Sequence, residues 1–261
     1  MDNFEKTLLE KAAKANSLRL FMDYDGTLAD FAPSPDVVLP DVKLIALMDR
    51  LVNAKGILPA IISGRKLAHI AKLLPVKGLL LAGSYGIEMQ LPDGQFRSAL
   101  EFQEIRPKIE LILPLWTKLI ENKKDFYLED KGWSLALHCR YANEIEVKEV
   151  MDKAHKVVSD QKPDPRFQFF EGYHFLEYAP RLASKRSATQ WIIDNLTPKD
   201  AMVIFIGDDD KDEDAFSVVK KSGGFAIRIV ANFCKTQAQF CLKTPDAARN
   251  WLTELISFRE E

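Results

Sequence analysis

Nearly uninterrupted apolar runs alternate with amphipathic segments along this chain. The stretches LRLFM (18–22), ILPAII (57–62), GLLLA (78–82) and AMVIFI (201–206) lack polar alternation, as strands buried on both faces of a parallel sheet do. Each stops at small or polar residues: Asp23, Ser63, Gly83 and Gly207. Between the first two lies PDVKLIALMDRLVNAKG, with Pro40 and Asp41 as start signals, an apolar stripe at Leu44, Leu47, Met48 and Leu51, and Gly56 as the stop; that pattern predicts a helix. Further helices are expected to open at Arg65 or Lys66, to cover SKRSATQWIIDNL from Ser184, and to run through DEDAFSVVKKSG to Gly223. Strand, helix, strand in this order is the signature of a doubly wound, mostly parallel, Rossmann-like α/β core.

The middle of the chain breaks that rhythm. Helical periodicity over EIRPKIELILPLWTKLIEN gives way to period-2 alternation in FYLEDKGWSLALHCRYA. A second helix, NEIEVKEVMDKAHKVVSD, and two short strands in FQFFEGYHFLEYAP follow. These elements predict a smaller α+β domain inserted into the first. The expected organisation is core over 1–102, insert over 103–180 and core again over 181–261.

Composition narrows the possible functions. At 261 residues, 47% hydrophobic and 28% charged, the chain has material for one sizeable core and a smaller second one. A formal net charge of −2, with Lys and Arg spread along the chain, gives no basic arm or stripe for nucleic acid. No run approaches the roughly eighteen apolar residues of a membrane span, and the opening MDNFEKTLLEKAAKA reads as a charged amphipathic helix rather than a signal peptide. A cytoplasmic monomer acting on a small molecule is the expectation. Cys139, Cys234 and Cys241 form no CxxC pair and are expected to be reduced thiols without chemistry.

The candidate chemistry sits at the strand ends, where an open α/β sheet places its ligand crevice. Three ends supply a matched set: Asp23-Tyr24-Asp25-Gly26-Thr27, Ser63-Gly64-Arg65, and Gly207-Asp208-Asp209-Asp210. Residues i and i+2 of a strand point to one side, so Asp23 and Asp25 are expected to share a face, a poor arrangement unless a cation or a proton exchange uses it. Asp208 from a neighbouring strand would complete an oxygen-lined site, and Mg²⁺ suits it, preferring one or two carboxylates with water and phosphate oxygens.

A carboxylate beside such an ion is also a nucleophile able to accept a phosphoryl group, the role read for Asp23. Asp25 reads as the acid that protonates the departing alcohol and then as the base that deprotonates water. Ser63 and the backbone N–H groups after it would cradle phosphate oxygens, and Lys185 would neutralise charge spreading over them. Gly26, Thr27, Gly64 and Arg65 are further candidate phosphate- and substrate-binding positions. A calcium-loop reading of DDDKDED fails, because from Asp208 the sixth position is Glu213 rather than Gly and the twelfth is Val219 rather than Glu. His138, inside SLALHCR, reads as a packed strand residue rather than a ligand; His69, His155 and His174 have no metal-binding spacing, and Trp133 and Trp191 read as core anchors.

In order, DYDGTL, SGR, a downstream lysine and GDD resemble the four motifs of the haloacid dehalogenase superfamily of phosphatases. DYDGTLADFAPSPDVVLPD, IISGR, LAGSYGIE, LEDKGWSLALHCR, FLEYAPRLASK and GDDDKDEDAF resemble the trehalose-6-phosphate phosphatase family across nearly the whole chain. The resemblance implies Asp23 as nucleophile and Asp25 as acid/base. It implies Mg²⁺ held by Asp23, the backbone carbonyl of Asp25 and Asp208, with Asp209 and Asp212 behind them. It makes the inserted domain a cap that reads the sugar through Glu129, Lys131 and Glu177, with Arg140 at a further motif position. Two positions depart from the family pattern: Tyr85 stands where the family usually has His, and Gly172-Tyr173 where it has GK. A phosphatase of another glycosyl phosphate, such as sucrose or glucosylglycerol phosphate, and a non-catalytic sugar-phosphate sensor are the alternatives; a sensor would be free to lose either Asp23 or Asp25.

Overall fold

A computed structural model describes residues 3–31, 38–139, 141–232 and 234–260. Helix α1 (Asn3–Lys14) leads into β1 (Leu18–Met22), α2 (Val42–Asn53), β2 (Ile57–Ile62), α3 (Leu67–Leu73) and β3 (Leu80–Gly83). After a 3₁₀ turn at Ser84–Gly86 come the short strands β4 (Glu88–Gln90) and β5 (Phe96–Ser98). The chain continues through α4 (Phe102–Leu119), β6 (Tyr127–Asp130), β7 (Leu135–His138), α5 (Glu144–Asp160), β8 (Phe167–Gly172) and β9 (Phe175–Pro180). It finishes with α6 (Lys185–Leu196), β10 (Met202–Gly207), α7 (Asp210–Lys221), β11 (Phe225–Ile229), β12 (Phe240–Leu242) and α8 (Pro245–Glu260).

The described residues form two compact units, Met1–Arg97 with Ser184–Glu261, and Ser98–Ala183. The larger holds an eight-stranded sheet in the order β12-β11-β10-β1-β2-β3-β4-β5. Its pairings are parallel from β12 to β3, and β4 runs antiparallel to β3. Alternate residues of the central strands feed two cores. Leu20, Met22, Ile61, Ile204 and Ile206 pack in one, with residues of α1, α2, α3 and α8. Phe21, Ala60, Ile62 and Phe205 pack in the other, with Ala188 and Ile192 of α6 and Phe216 and Val219 of α7. Both faces are therefore covered, which is why these strands carry almost no polar positions. Each large side chain so buried contributes about 1.5–3 kcal/mol, and Phe21 stacks on Phe205 with ring centroids 5.9 Å apart.

Local signals fix the helix starts. Asp41 caps α2 by accepting from the N–H groups of Lys43 and Leu44, satisfying donors that have no partner inside the helix. Helix α7 begins earlier than its apolar periodicity implied. Asp209 caps it in a reciprocal box with Asp212, so the acidic run is the first helical turn and the loop before it.

The smaller unit has a four-stranded antiparallel sheet, β6-β7-β9-β8, and the helices α4 and α5. Trp116 of α4 is buried and its indole N–H donates to the Ala154 carbonyl of α5 at 3.2 Å. Trp133 is also buried, edge-on to Phe102. Among the described residues no helix is long and apolar enough to cross a membrane, and the three cysteines are free.

Candidate active site

Strands β1 and β10 are hydrogen-bonded neighbours in register, Met22 against Ile206, and the Asp23 N–H continues the ladder to the Ile206 carbonyl at 3.0 Å. The carboxyl ends of the two strands thus deliver Asp23 and Asp208 side by side. One carboxylate oxygen each from Asp23, Asp208 and Asp212 lies within 4.8 Å of the others. Lys185, at the first position of α6, reaches Asp23 Oδ2 at 2.7 Å and Asp212 Oδ1 at 2.6 Å, with Asp209 Oδ1 at 4.0 Å.

These acids divide into those already committed and those still open. Asp212 is fully buried; its Oδ1 takes the Lys185 ammonium, and its Oδ2 accepts the N–H groups of Asp208 and Asp209, both at 3.1 Å. Asp209 is occupied by its cap bonds to the N–H groups of Lys211 and Asp212. Asp23 has the Lys185 ammonium and Asp208 the Thr27 hydroxyl as partners, and burial raises the proton affinity of both, as it does that of Asp212. Burial, reinforced by Asp208 and Asp209, pushes Asp23 up to about 7 against the pull of Lys185. Burial, together with Asp212 and Asp209, pushes Asp208 up to about 7 despite Lys185 and Thr27. Burial opposes the Lys185 charge as well, yet Asp212, Asp23 and Asp209 outweigh it and hold the ammonium well above the ordinary lysine range.

A buried carboxylate, Asp23, and a half-buried one, Asp208, with raised proton affinity and converging oxygens are short of positive charge. Hard oxygen donors of this kind match a small divalent cation such as Mg²⁺. Asp23 and Asp208 are the side chains with capacity to hold it, while Asp209, Asp212 and Lys185 brace them.

The turn after β1 follows from close packing. Gly26 has φ of +77°, and a Cβ there would fall 2.3 Å from Asp208 Oδ2, so only glycine fits. Thr27, expected among the substrate-binding positions, is fully buried and its hydroxyl donates to Asp208 Oδ1 at 2.9 Å. It orients the carboxylate.

Asp25 departs from the expected shared face. Strand β1 ends at Met22, and Asp25 sits in the turn, bridged to Ala29. Its carboxylate is gripped by Arg65, whose Nε and Nη2 donate to Oδ2 and Oδ1 at 2.7 and 2.6 Å. The acids that join Asp23 are Asp208 and Asp212, and Asp25 meets a guanidinium fork from forty residues away. Strand alternation, on which the expectation rested, stops at Met22, before either aspartate.

Ser63 ends β2 and is buried. Its hydroxyl accepts the Arg65 N–H at 3.2 Å, and its N–H is bonded to the Ala82 carbonyl of β3. Gly64 lies under Tyr85: a Cβ at 64 would meet the phenol at 2.7–2.8 Å. Tyr85 has a left-handed backbone, φ +56°, and its N–H donates to the Ser63 carbonyl at 2.9 Å. Its hydroxyl accepts from Lys211 Nζ at 2.6 Å. A phenol at this departure from the family pattern thus ties the Ser63 turn to α7.

In the smaller unit Glu177, Lys131 and Ser134 are all buried. Lys131 Nζ lies 3.2 Å from Glu177 Oε1, which also accepts the Ser134 hydroxyl at 2.7 Å. Glu129 pairs with His138 Nε2 at 3.1 Å; burial opposes its charge, but His138 and Lys131 hold it below the ordinary glutamate range. Register explains the meeting, since Ala136 of β7 faces both Glu129 of β6 and Glu177 of β9. Glu177 and Lys131 are therefore internal, not the solvated charges that strand position alone suggests. Ser134 and His138 belong to this cluster; the sequence left Ser134 unmarked and read His138 as a packed strand residue, and the one signal for either was its place in the same hairpin as Glu129 and Lys131. Tyr173 is exposed and stacks on His174. Arg140 lies outside the described residues.

The class is a phosphoric monoester hydrolase with the haloacid dehalogenase fold, its larger unit carrying paired acids at adjacent ends of a mostly parallel sheet and its smaller unit an antiparallel sheet. The trehalose-phosphatase family profile matches residues 21–246, and the chain belongs to that family. A probable trehalose-phosphate phosphatase of Arabidopsis thaliana is 28% identical over the whole of this chain and 75% of its own length. One from Sinorhizobium fredii is 29% identical over 90% of this chain and 86% of its own. The fold is also that of the C-terminal domain of Candida albicans trehalose-6-phosphate phosphatase, with a TM-score of 0.83 at 20% identity over 97% of this chain and 96% of that one.

Proposed function

We propose that the protein is a Mg²⁺-dependent phosphatase that hydrolyses trehalose 6-phosphate to trehalose and phosphate through an aspartyl phosphate on Asp23. The observation that carries this reading is the convergence of Asp23 and Asp208 around Lys185 at the ends of two neighbouring strands. Family membership directs it to a sugar phosphate.

In this reading Asp23 Oδ attacks phosphorus, the bond from phosphorus to the sugar oxygen breaks, and Asp25 delivers a proton to the leaving alkoxide. Asp25 then removes a proton from the water that hydrolyses the acyl phosphate and returns the Asp23 carboxylate. Lys185 stays close to Asp23 Oδ2 throughout and offsets charge growing on the phosphoryl oxygens. The Ser63 hydroxyl and the Gly64 N–H receive those oxygens, while the Arg65 N–H stays on Ser63 Oγ. Asp23, Asp208 and the backbone carbonyl of Asp25 would hold Mg²⁺, which would supply Lewis-acid stabilisation of the phosphoryl group. Arg65 fixes the plane of the Asp25 carboxylate, so proton transfer requires its fork to release one oxygen.

Glu129, Lys131 and Glu177 are assigned to the sugar. Carboxylates accept from hydroxyls and an ammonium donates to them, in strong charge-assisted bonds. The test is phosphate release from trehalose 6-phosphate, sucrose 6-phosphate, glucosylglycerol phosphate and glucose 6-phosphate, with and without Mg²⁺. Preferred turnover of trehalose 6-phosphate that stops on chelation is expected. Preference for another member redirects the substrate, and binding without phosphate release makes the protein a sensor.

A further inference from the structure

The loop carrying Asp208 is held from two sides, and one holder lies outside every motif already discussed. Arg228 stands on β11 as the register partner of Gly207, the residue before Asp208. Its buried guanidinium donates in three directions. Nε reaches the backbone carbonyl of Asp208 at 3.2 Å. Nη1 reaches Glu213 Oε1 at 2.6 Å, and Nη2 reaches Asp210 Oδ1 at 3.0 Å. Glu213 is itself anchored, accepting the Thr236 hydroxyl at 2.5 Å and the Gln237 N–H at 2.7 Å from the segment before β12.

We propose that Arg228 is a positioning residue for the cation-holding carboxylate of Asp208. Asp212 fixes the amide groups of Asp208 and Asp209, and Arg228 fixes the Asp208 carbonyl. Between them the peptide planes on both sides of the Asp208 Cα are set, and with them the direction of its side chain. The guanidinium touches neither Asp23 nor the carboxylate of Asp208, so it acts by holding the loop in a binding geometry that would otherwise have to be selected at each encounter. Lysine cannot replace it, because three acceptors in three directions need the planar fork.

Electrostatics alone predicts the opposite sign, which makes the inference sharp. Removing a cation beside an acidic site strengthens the attraction of that site for a divalent ion, whereas loss of positioning weakens it. Groups that support metal ligands from behind typically account for about 10–100-fold in affinity.

The inference rests on the Mg²⁺ reading above, and the experiment separates the two. Mg²⁺ is titrated calorimetrically into the full-length wild-type protein and into Arg228→Met, Arg228→Lys and Arg186→Met, with metal-free melting recorded for each. Arg186 of α6 pairs with Asp214 of α7 at an exposed site and serves as the control. Wild-type binding that weakens at least tenfold in both Arg228 variants and is unchanged in the control supports the proposal. Unchanged or tighter binding in the Arg228 variants overturns it while leaving the Mg²⁺ site standing, and Arg228→Lys, which retains the charge, decides the matter if Arg228→Met does not fold. Absence of Mg²⁺ binding in the wild type overturns the metal reading itself, and this inference with it.

Discussion

The two units each bury a lysine among carboxylates, but the balance of charge differs. In the larger unit Lys185 is shared by Asp23, Asp209 and Asp212, and Asp23 and Asp208 are left with proton affinities near neutrality, about 7 each. In the smaller unit Lys131 serves Glu177, and Glu129 has His138, so Glu129 stays below its ordinary range in spite of burial. The first site lacks positive charge and is suited to a cation and a phosphoryl group. In the second each carboxylate already has a hydrogen-bond partner, Lys131 and Ser134 on Glu177 and His138 on Glu129, an arrangement of donors and acceptors that suits uncharged hydroxyls.

Substitutions that act on one side of this contrast should leave the other intact. The largest effect is expected for Asp23→Asn, which removes the proposed nucleophile: turnover of any phosphate ester should fall roughly 10⁴-fold or more. The melting temperature should hold, because a buried carboxylate with an unfavourable charge is gone. Stopped phosphate release in a protein that still melts cooperatively is the check; near-normal turnover would break the assignment.

Mg²⁺ should stabilise the native protein, since the unfolded chain has no preformed site. At about one hundred times its Kd a ligand adds about 2.7 kcal/mol, visible as a higher melting temperature. Asp208→Asn should abolish the rise, while Glu177→Gln should keep it.

For the smaller unit a double change is the cleaner probe, because breaking a buried pair from one side costs about 3–5 kcal/mol in stability. Lys131→Met with Glu177→Gln should raise KM for the disaccharide phosphate by about 10–100-fold, the loss expected for charge-assisted bonds of about 1.5–3 kcal/mol. KM for p-nitrophenyl phosphate should not move. Equal losses on both substrates would remove the distinction between the units.

The smallest effect concerns acid stability. Glu129 has a folded pKa below its unfolded value of about 4.3, so it adds stability above that pH and loses it as pH falls through the lower folded value. Glu129→Gln should therefore lose that contribution near neutrality and flatten the stability profile on the acid side, converging with the wild type below the folded value, as read by urea unfolding at several pH values.

Much of the fold was legible because its strands are covered on both faces. The runs ending at Asp23, Ser63, Gly83 and Gly207 could be recognised without knowing their neighbours, and the stripe of α2 and the start of α6 at Ser184 were local signals. Strands β4, β5 and β12 were not legible: EMQ, FRS and FCL are too short to show a period. At the site, Asp23, Ser63, Lys185 and Asp208 were readable from their positions at strand and helix ends. The partnerships were not. The Arg65 fork on Asp25, the Thr27 hydroxyl on Asp208, Tyr85 with Lys211, and Arg228 on the Asp208 carbonyl join segments that only the sheet order brings together. Chain spacing carries no information about them.

The central claim is that Asp23, beside a divalent cation, takes the phosphoryl group onto its own oxygen. Acid quenching of the enzyme during turnover of ³²P-labelled trehalose 6-phosphate with Mg²⁺, followed by borohydride reduction and peptide mapping, addresses it directly. Label on the peptide containing Asp23, absent without Mg²⁺ and absent in Asp23→Asn, is the predicted result. Label on Ser63, or continuing turnover in Asp23→Asn, would contradict it.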